Sequence, residues 1–150
     1  MIPYETKDIR TIVLLGHGAS GKTSLVESML YKAGATTRLG SVEDGTSVAD
    51  YDADAKEKKH TIDSSILHCN WKGREINIID TPGYIDFVRD TITSLVAAET
   101  ALITISATDG IQVNTGKLWN LACQKGLGKI IVITKIDGEN IDYQALLDSI

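Results

Sequence analysis

Short apolar runs alternate with amphipathic stretches along most of the chain. Thr11-Ile12-Val13-Leu14-Leu15 predicts a buried strand over 11–16. Leu25, Val26, Met29 and Leu30 then recur at helical spacing over 22–33, with Gly34 as the stop. Residues 34–60 show no clean periodicity. They carry Gly34, Gly40 and Gly45, the acidic run Asp50-Tyr51-Asp52-Ala53-Asp54 and the charged run Lys56-Glu57-Lys58-Lys59. A stretch this long without regular structure is usually functional or mobile in a compact domain. Strand signals return over 64–71 and 75–80, joined by a hairpin turn at Lys72-Gly73-Arg74. A helix over 85–97, a strand at 101–105, a helix over 114–125 stopped near Gly126, a strand at 129–134 and a helix over 141–150 complete the pattern. This alternation predicts an α/β fold, a mostly parallel doubly wound sheet with one antiparallel hairpin.

The first strand-to-helix junction carries chemistry. Gly16-His17-Gly18-Ala19-Ser20-Gly21-Lys22-Thr23 fits the phosphate-loop pattern Gly-x-x-x-x-Gly-Lys-Ser/Thr, followed by Ser24. Glycines let the backbone turn its N–H groups toward phosphate oxygens, which the positive end of the following helix also favours. Lys22 would reach the terminal phosphates and the Thr23 hydroxyl would ligate Mg²⁺. The chain is thus expected to have the phosphate-loop NTPase fold. Gly16-x-Gly18-x-x-Gly21 also fits a dinucleotide fingerprint, which needs a second strand ending in Asp or Glu about twenty residues later. The surroundings of Glu43 and Asp44 are Gly- and Ser-rich with no apolar run before them, so the phosphate loop is the better reading.

Composition narrows the class. The 150 residues suit one domain, and a formal net charge of -5 offers no electrostatic case for a large nucleic-acid surface or for DNA binding. Cys69 and Cys123 lie far apart in apolar surroundings, which predicts buried free thiols in a reducing compartment. No signal peptide and no membrane-length apolar run is visible, so the expected location is the cytoplasm.

Two later strand ends bear further candidates. Asp80-Thr81-Pro82-Gly83 follows a strand; an acidic residue there can hold a Mg²⁺ shell, and Gly83 can offer its N–H to a γ-phosphate. Thr134-Lys135-Ile136-Asp137 follows another, where guanine nucleotide-binding proteins carry Asn-Lys-x-Asp. The Asp of that pattern accepts from the ring N–H and exocyclic amine of guanine. Leaving such an acceptor unpaired is worth roughly a hundredfold or more in discrimination.

With these pieces in place, Gly16–Thr23, Arg74–Gly83 and Ile133–Asp137 together resemble the translational GTPases, above all elongation factor G and its elongation factor G-like paralogues. The likeness covers nearly the whole chain. It implies a GTP-binding domain over 11–150, incomplete on its C-terminal side and preceded by a leader over 1–10. It also implies GTP and GDP as ligands with Mg²⁺, hydrolysis stimulated by the ribosome, and a monomeric factor. In the family Lys56–Ile62 aligns with a switch segment whose Thr ligates Mg²⁺ in the GTP state, here Thr61.

Three departures qualify the resemblance. Thr134 stands where the family has Asn; its shorter hydroxyl lacks the amide donors, so the brace on the phosphate loop and the base contact should weaken. Because Asp137 remains, reduced guanine-nucleotide affinity is expected rather than a switch to adenine. Tyr84 stands where the family has the water-positioning His, and a phenol is a poor proton acceptor at neutral pH. Slower hydrolysis, or reliance on another residue, is then expected, although orienting a water needs no base and Tyr84 could still do so. Finally, the chain stops at Ile150, before the last strand and the Ser-Ala-containing loop that closes over the base.

Lesser candidates carry little weight. Asp50-x-Asp52-x-Asp54 resembles a calcium loop, but Ala55 and Thr61 occupy positions that require Gly and Glu. His60 and Lys56, Lys58 and Lys59 read as solvated. His17 matters through its backbone, and His68, Trp71 and Trp119 read as packing or surface residues.

Overall fold

The computed structural model describes residues 4–49, 63–84 and 88–150. Strand β1 (Ile9–Gly16) runs through the phosphate-loop octet into helix α1 (Lys22–Lys32). Next come β2 (Ser65–Trp71), β3 (Arg74–Asp80), α2 (Val88–Ala97), β4 (Thr100–Ser106), α3 (Val113–Gln124), β5 (Gly128–Thr134) and α4 (Tyr143–Ser149). β1 begins two residues inside the segment read as a leader, because Ile9 already pairs with Glu75 of β3. The expected segment 50–62, with the acidic run, His60 and Thr61, lies outside the described residues, as do the first three residues of the expected helix 85–97.

The sheet order is β2-β3-β1-β4-β5, parallel except for the β2–β3 hairpin, as the alternation predicts. That hairpin turns on two residues, since Trp71 pairs directly with Arg74. Lys72 and Gly73 both take positive φ, at 48° and 78°, the conformation a tight hairpin requires.

Alternation along β1 sends its side chains to two separate cores. Val13 and Leu15 pack with Ile79, Leu95, Ile103 and Leu118, beneath α2 and α3. Leu14 points the other way, onto Val26 and Leu30 of α1, with Ile78 and Cys69. Leu146 of α4 joins Ile105 and Ala107 in a smaller cluster. Glycine ends both long helices cleanly: at Gly34 (φ 73°) Ala35 N–H donates to Leu30 O at 2.9 Å, and at Gly126 (φ 71°) Leu127 N–H donates to Ala122 O at 3.1 Å.

One cysteine departs from expectation. Cys69 is buried, and that burial raises its thiol pKa, but Cys123 is exposed. It sits on the outward side of α3, where Leu118 and Ala122 supply the buried contacts. His68 and Trp71 are exposed and Trp119 is half-buried against the α2–α3 core. Among the described residues no helix is long and apolar enough to cross a membrane.

Candidate nucleotide-binding site

Parallel pairing brings the chemistry to one edge of the sheet. Leu14 is in register with Asp80, Gly16 with Thr104, and Ser106 with Thr134, so the carboxyl ends of β1, β3, β4 and β5 lie side by side. In an open α/β sheet this edge is where ligands bind.

The phosphate loop is wedged between its neighbours. Gly16 leaves β1 at φ 149°, and a side chain there would run into Thr104 and Ser20. The buried Ser20 hydroxyl lies 2.7 Å from Thr104 Oγ1, which also reaches Leu15 O at 3.2 Å. Ala19 takes φ 59° and Gly21 φ 86°, turning the chain into α1. No side chain caps α1, and Leu25 N–H makes its first helical bond, to Gly21 O at 2.9 Å. The start of the helix therefore presents its amide donors at the loop.

Lys22 is buried, and its ammonium donates to Gly16 O at 3.2 Å and His17 O at 3.0 Å. Desolvation lowers its pKa to about 8, against a pull upward from Asp80. His17 thus enters the site through its carbonyl. Thr23 Oγ1 donates to Asp80 Oδ2 at 2.7 Å across 57 residues, with Asp80 fully buried at the end of β3. A hydroxyl and a carboxylate side by side are hard oxygen donors of the kind Mg²⁺ takes. Ser24 is exposed on α1, its carbonyl accepting from Ser28 Oγ at 2.8 Å.

The segment after β3 closes against the loop. Thr81 Oγ1 donates to Leu14 O at 2.5 Å, fixing its first residue. A Cβ on Gly83 would lie 2.5 Å from Lys22 Nζ and 2.6 Å from Gly18 N, an approach only glycine allows. The ring of Tyr84 lies over Gly18, where an added Cβ would meet Cζ at 2.7 Å. Beside them, Gly18, Ala19, Gly21, Lys22, Thr23 and Ser24 line a cleft of about 250 Å³, together with Val42, Glu43, Gly83, Tyr84 and Lys135.

Thr134 keeps a hold on the loop despite its short side chain. Its hydroxyl contacts Ser20 O at 2.7 Å and Ile105 O at 3.3 Å, and its Cβ is 3.5 Å from where a Gly21 side chain would start. A short hydrogen bond thus joins Thr134 to the phosphate loop. Lys135, at φ 54°, reaches the cleft, whereas Asp137 is exposed and does not line it.

Sequence reasoning missed three contributors. Thr81 and Thr104 are fully buried hydroxyls that bind β1 carbonyls, and only a Thr inside an apolar strand hinted at the second. Glu27 is a fully buried carboxylate in α1; nothing in the helical pattern distinguished it from a solvated glutamate.

Comparison with known proteins agrees with this geometry. Residues 7–150 match the family described as Elongation factor Tu GTP binding domain. The chain is 37% identical over 137 residues to the mitochondrial ribosome-releasing factor 2 of Drosophila grimshawi, covering 91% of the chain and 19% of that protein. It is 36% identical over 139 residues to an elongation factor G-like protein of Mycobacterium tuberculosis, covering 93% and 20%. A crystal structure of a Thermus thermophilus protein superposes with a TM-score of 0.90 at 42% identity, covering 94% of this chain and 21% of that one. The chain thus spans about a fifth of the length of the relatives it matches. It belongs to the family of elongation factor Tu-type GTP-binding domains.

Proposed function

We propose that this domain is the GTP-binding and GTP-hydrolysing switch of an elongation factor G-like factor that acts on the ribosome. The observation carrying the reading is the convergence, around one cleft, of Lys22, the Thr23–Asp80 pair and the Gly83–Tyr84 segment. In this reading the backbone from Gly16 to Ser24 cradles the phosphates. Lys22 exchanges its two neutral carbonyl partners for anionic phosphate oxygens, which favours the buried ammonium. Thr23 and Asp80, joined by Thr61 in the GTP state, would hold Mg²⁺, which would supply neutralisation of phosphate charge. Gly83 donates its N–H to the γ-phosphate and Tyr84 orients water. Because both lie against the loop, the segment has to withdraw for a third phosphate and can return when it leaves. Thr134 braces the loop from behind, Lys135 flanks the base, and Asp137 selects guanine over adenine. The factor works in the cytoplasm as a monomer.

Tyr84 favours a second reading, a guanine-nucleotide switch with little turnover, since its ring covers Gly18 and it lacks the basicity of the family histidine. A phosphate-loop ATPase of relaxed specificity is the third, resting on Thr134. Single-turnover GTP hydrolysis by the full-length protein, with and without ribosomes, separates the first two. Acceleration by ribosomes supports the hydrolysing switch. No acceleration, together with its appearance in Tyr84→His, moves the assignment to the second reading. Equal binding of ATP and GTP moves it to the third.

A further inference from the structure

A charged side chain with no role in phosphate binding organises one wall of the cleft. Glu27 lies one helical turn beyond Thr23, on the same side of α1, and is fully buried. Its Oε1 accepts from Ser47 Oγ at 2.8 Å, Val48 N–H at 2.6 Å and Ala49 N–H at 3.1 Å. Its Oε2 is buried with no hydrogen-bond partner among the described residues and presses on Gly40. A Cβ at Gly40 would collide with Oε2 and lie 2.7 Å from Cδ. The carboxylate therefore ties down the 47–49 end of the segment by hydrogen bonds and packs closely against Gly40 at its other end.

Between those ends the segment closes on itself. Ser41 N–H donates to Thr46 Oγ1 at 3.0 Å, Thr46 N–H returns to Ser41 O at 2.9 Å, and Gly45 N–H reaches Val42 O at 3.2 Å. The tip of this small loop, Val42 and Glu43, faces the phosphate loop across the cleft. Beyond Ala49, Ser65 Oγ of β2 donates to Ala49 O at 2.5 Å. Burying a carboxylate is costly unless several donors compensate it, and three donors on Oε1 supply that compensation at one of its two oxygens. An apolar residue would fill the space in α1 but could not gather the Ser47–Ala49 donors.

We propose that Glu27 is a positioning residue of the nucleotide site: anchored in the helix that begins at Lys22, it holds the 40–49 loop so that Val42 and Glu43 form the outer wall of the cleft. The inference deepens the guanine-nucleotide reading and rests on it. Loss of the clasp frees the wall while the phosphate loop stays in place, so bound nucleotide escapes faster.

The test uses the full-length protein and a fluorescent GDP analogue. Glu27→Ala should speed dissociation about tenfold, equivalent to about 1.4 kcal/mol. Glu27→Gln, which keeps an acceptor at Oε1, should restore most of the wild-type rate. Gly40→Ala should reproduce the fast rate from the loop side without altering α1. In a background with Val42→Gly and Glu43→Gly, Glu27→Ala should add no further effect. Amide hydrogen exchange at Val48 and Ala49 should quicken in Glu27→Ala even without nucleotide. Unchanged dissociation in Glu27→Ala and Gly40→Ala, or effects that add to those of the wall variants, would overturn the proposal while leaving the nucleotide reading intact. Absence of GDP binding by the unaltered protein would overturn both.

Discussion

Thr104→Val isolates the hydroxyl relay beneath the phosphate loop. Valine matches threonine in shape, so the change removes polar contacts and leaves the packing of β4 nearly untouched. Thr104 Oγ1 lies 2.7 Å from Ser20 Oγ and 3.2 Å from Leu15 O, and Thr104 is fully buried. A single hydroxyl proton cannot serve both bonds, so the chain of donors runs from Ser20 to Thr104 to Leu15. Two net hydrogen bonds are worth about 2 kcal/mol together. The Ser20 hydroxyl, only 3% exposed, is also left without the Thr104 oxygen, which takes the expected loss to about 2–3 kcal/mol. For a domain of this size that lowers Tm by roughly 5–10 °C. Equilibrium urea unfolding of the chain measures the free-energy loss. The decisive control is Ser20→Ala in the Thr104→Val background: with both partners apolar no orphan remains, so the double variant should be no less stable than Thr104→Val alone. The coupling energy should reach about 1 kcal/mol. A Thr104→Val protein within about 0.5 kcal/mol of wild type, or strictly additive losses, would refute the relay.

Three further outcomes follow from the site. Burial holds Lys22 at about 8, below the ordinary lysine value near 10.5, so between those values the unfolded chain binds more protons than the folded one. Without nucleotide, stability should therefore rise with pH across that window by about 3 kcal/mol at most, and Lys22→Met should flatten the rise in pH-dependent urea unfolding. Gly83→Ala forces a Cβ to within 2.5 Å of Lys22 Nζ, so the segment must withdraw from the loop; GDP and GTP affinities should converge, and an unchanged ratio in calorimetric titrations would count against the γ-phosphate role of Gly83. Asp137→Ala should reduce the preference for GDP over ADP roughly a hundredfold, read from competition binding.

The local pattern was enough to reveal most of the fold and the centre of the site. The continuous apolar run in β1 marks a strand buried on both faces, and helical spacing from Leu25 to Leu30 marks α1. The Gly-Lys-Thr junction between them places a phosphate cradle. Backbone hydrogen-bonding geometry and side-chain period operate over a few residues, which is why these features can be read without the fold. The tight turn at Lys72-Gly73 and the glycine stops at Gly34 and Gly126 are legible for the same reason.

What tertiary structure decided is which distant side chains meet. Ser20 and Thr104 are 84 positions apart, and Thr134 and Ser20 are 114 apart. Their contacts depend on sheet register and strand order, which no local pattern states. The hydroxyl of Thr134 is shorter than the family's amide, and the approach of β5 to Gly21 brings it within 2.7 Å of Ser20 O. Glu27 and Cys123 show the same limit in opposite senses. A glutamate on an amphipathic helix is buried because a loop wraps over it, and a cysteine in apolar sequence is exposed while its helix neighbour Ala122 is buried. Sequence by itself determined the elements and the phosphate cradle, because both are set by short-range backbone geometry. The bracing of that cradle, its closure by Gly83 and Tyr84, and its outer wall were decided by long-range packing.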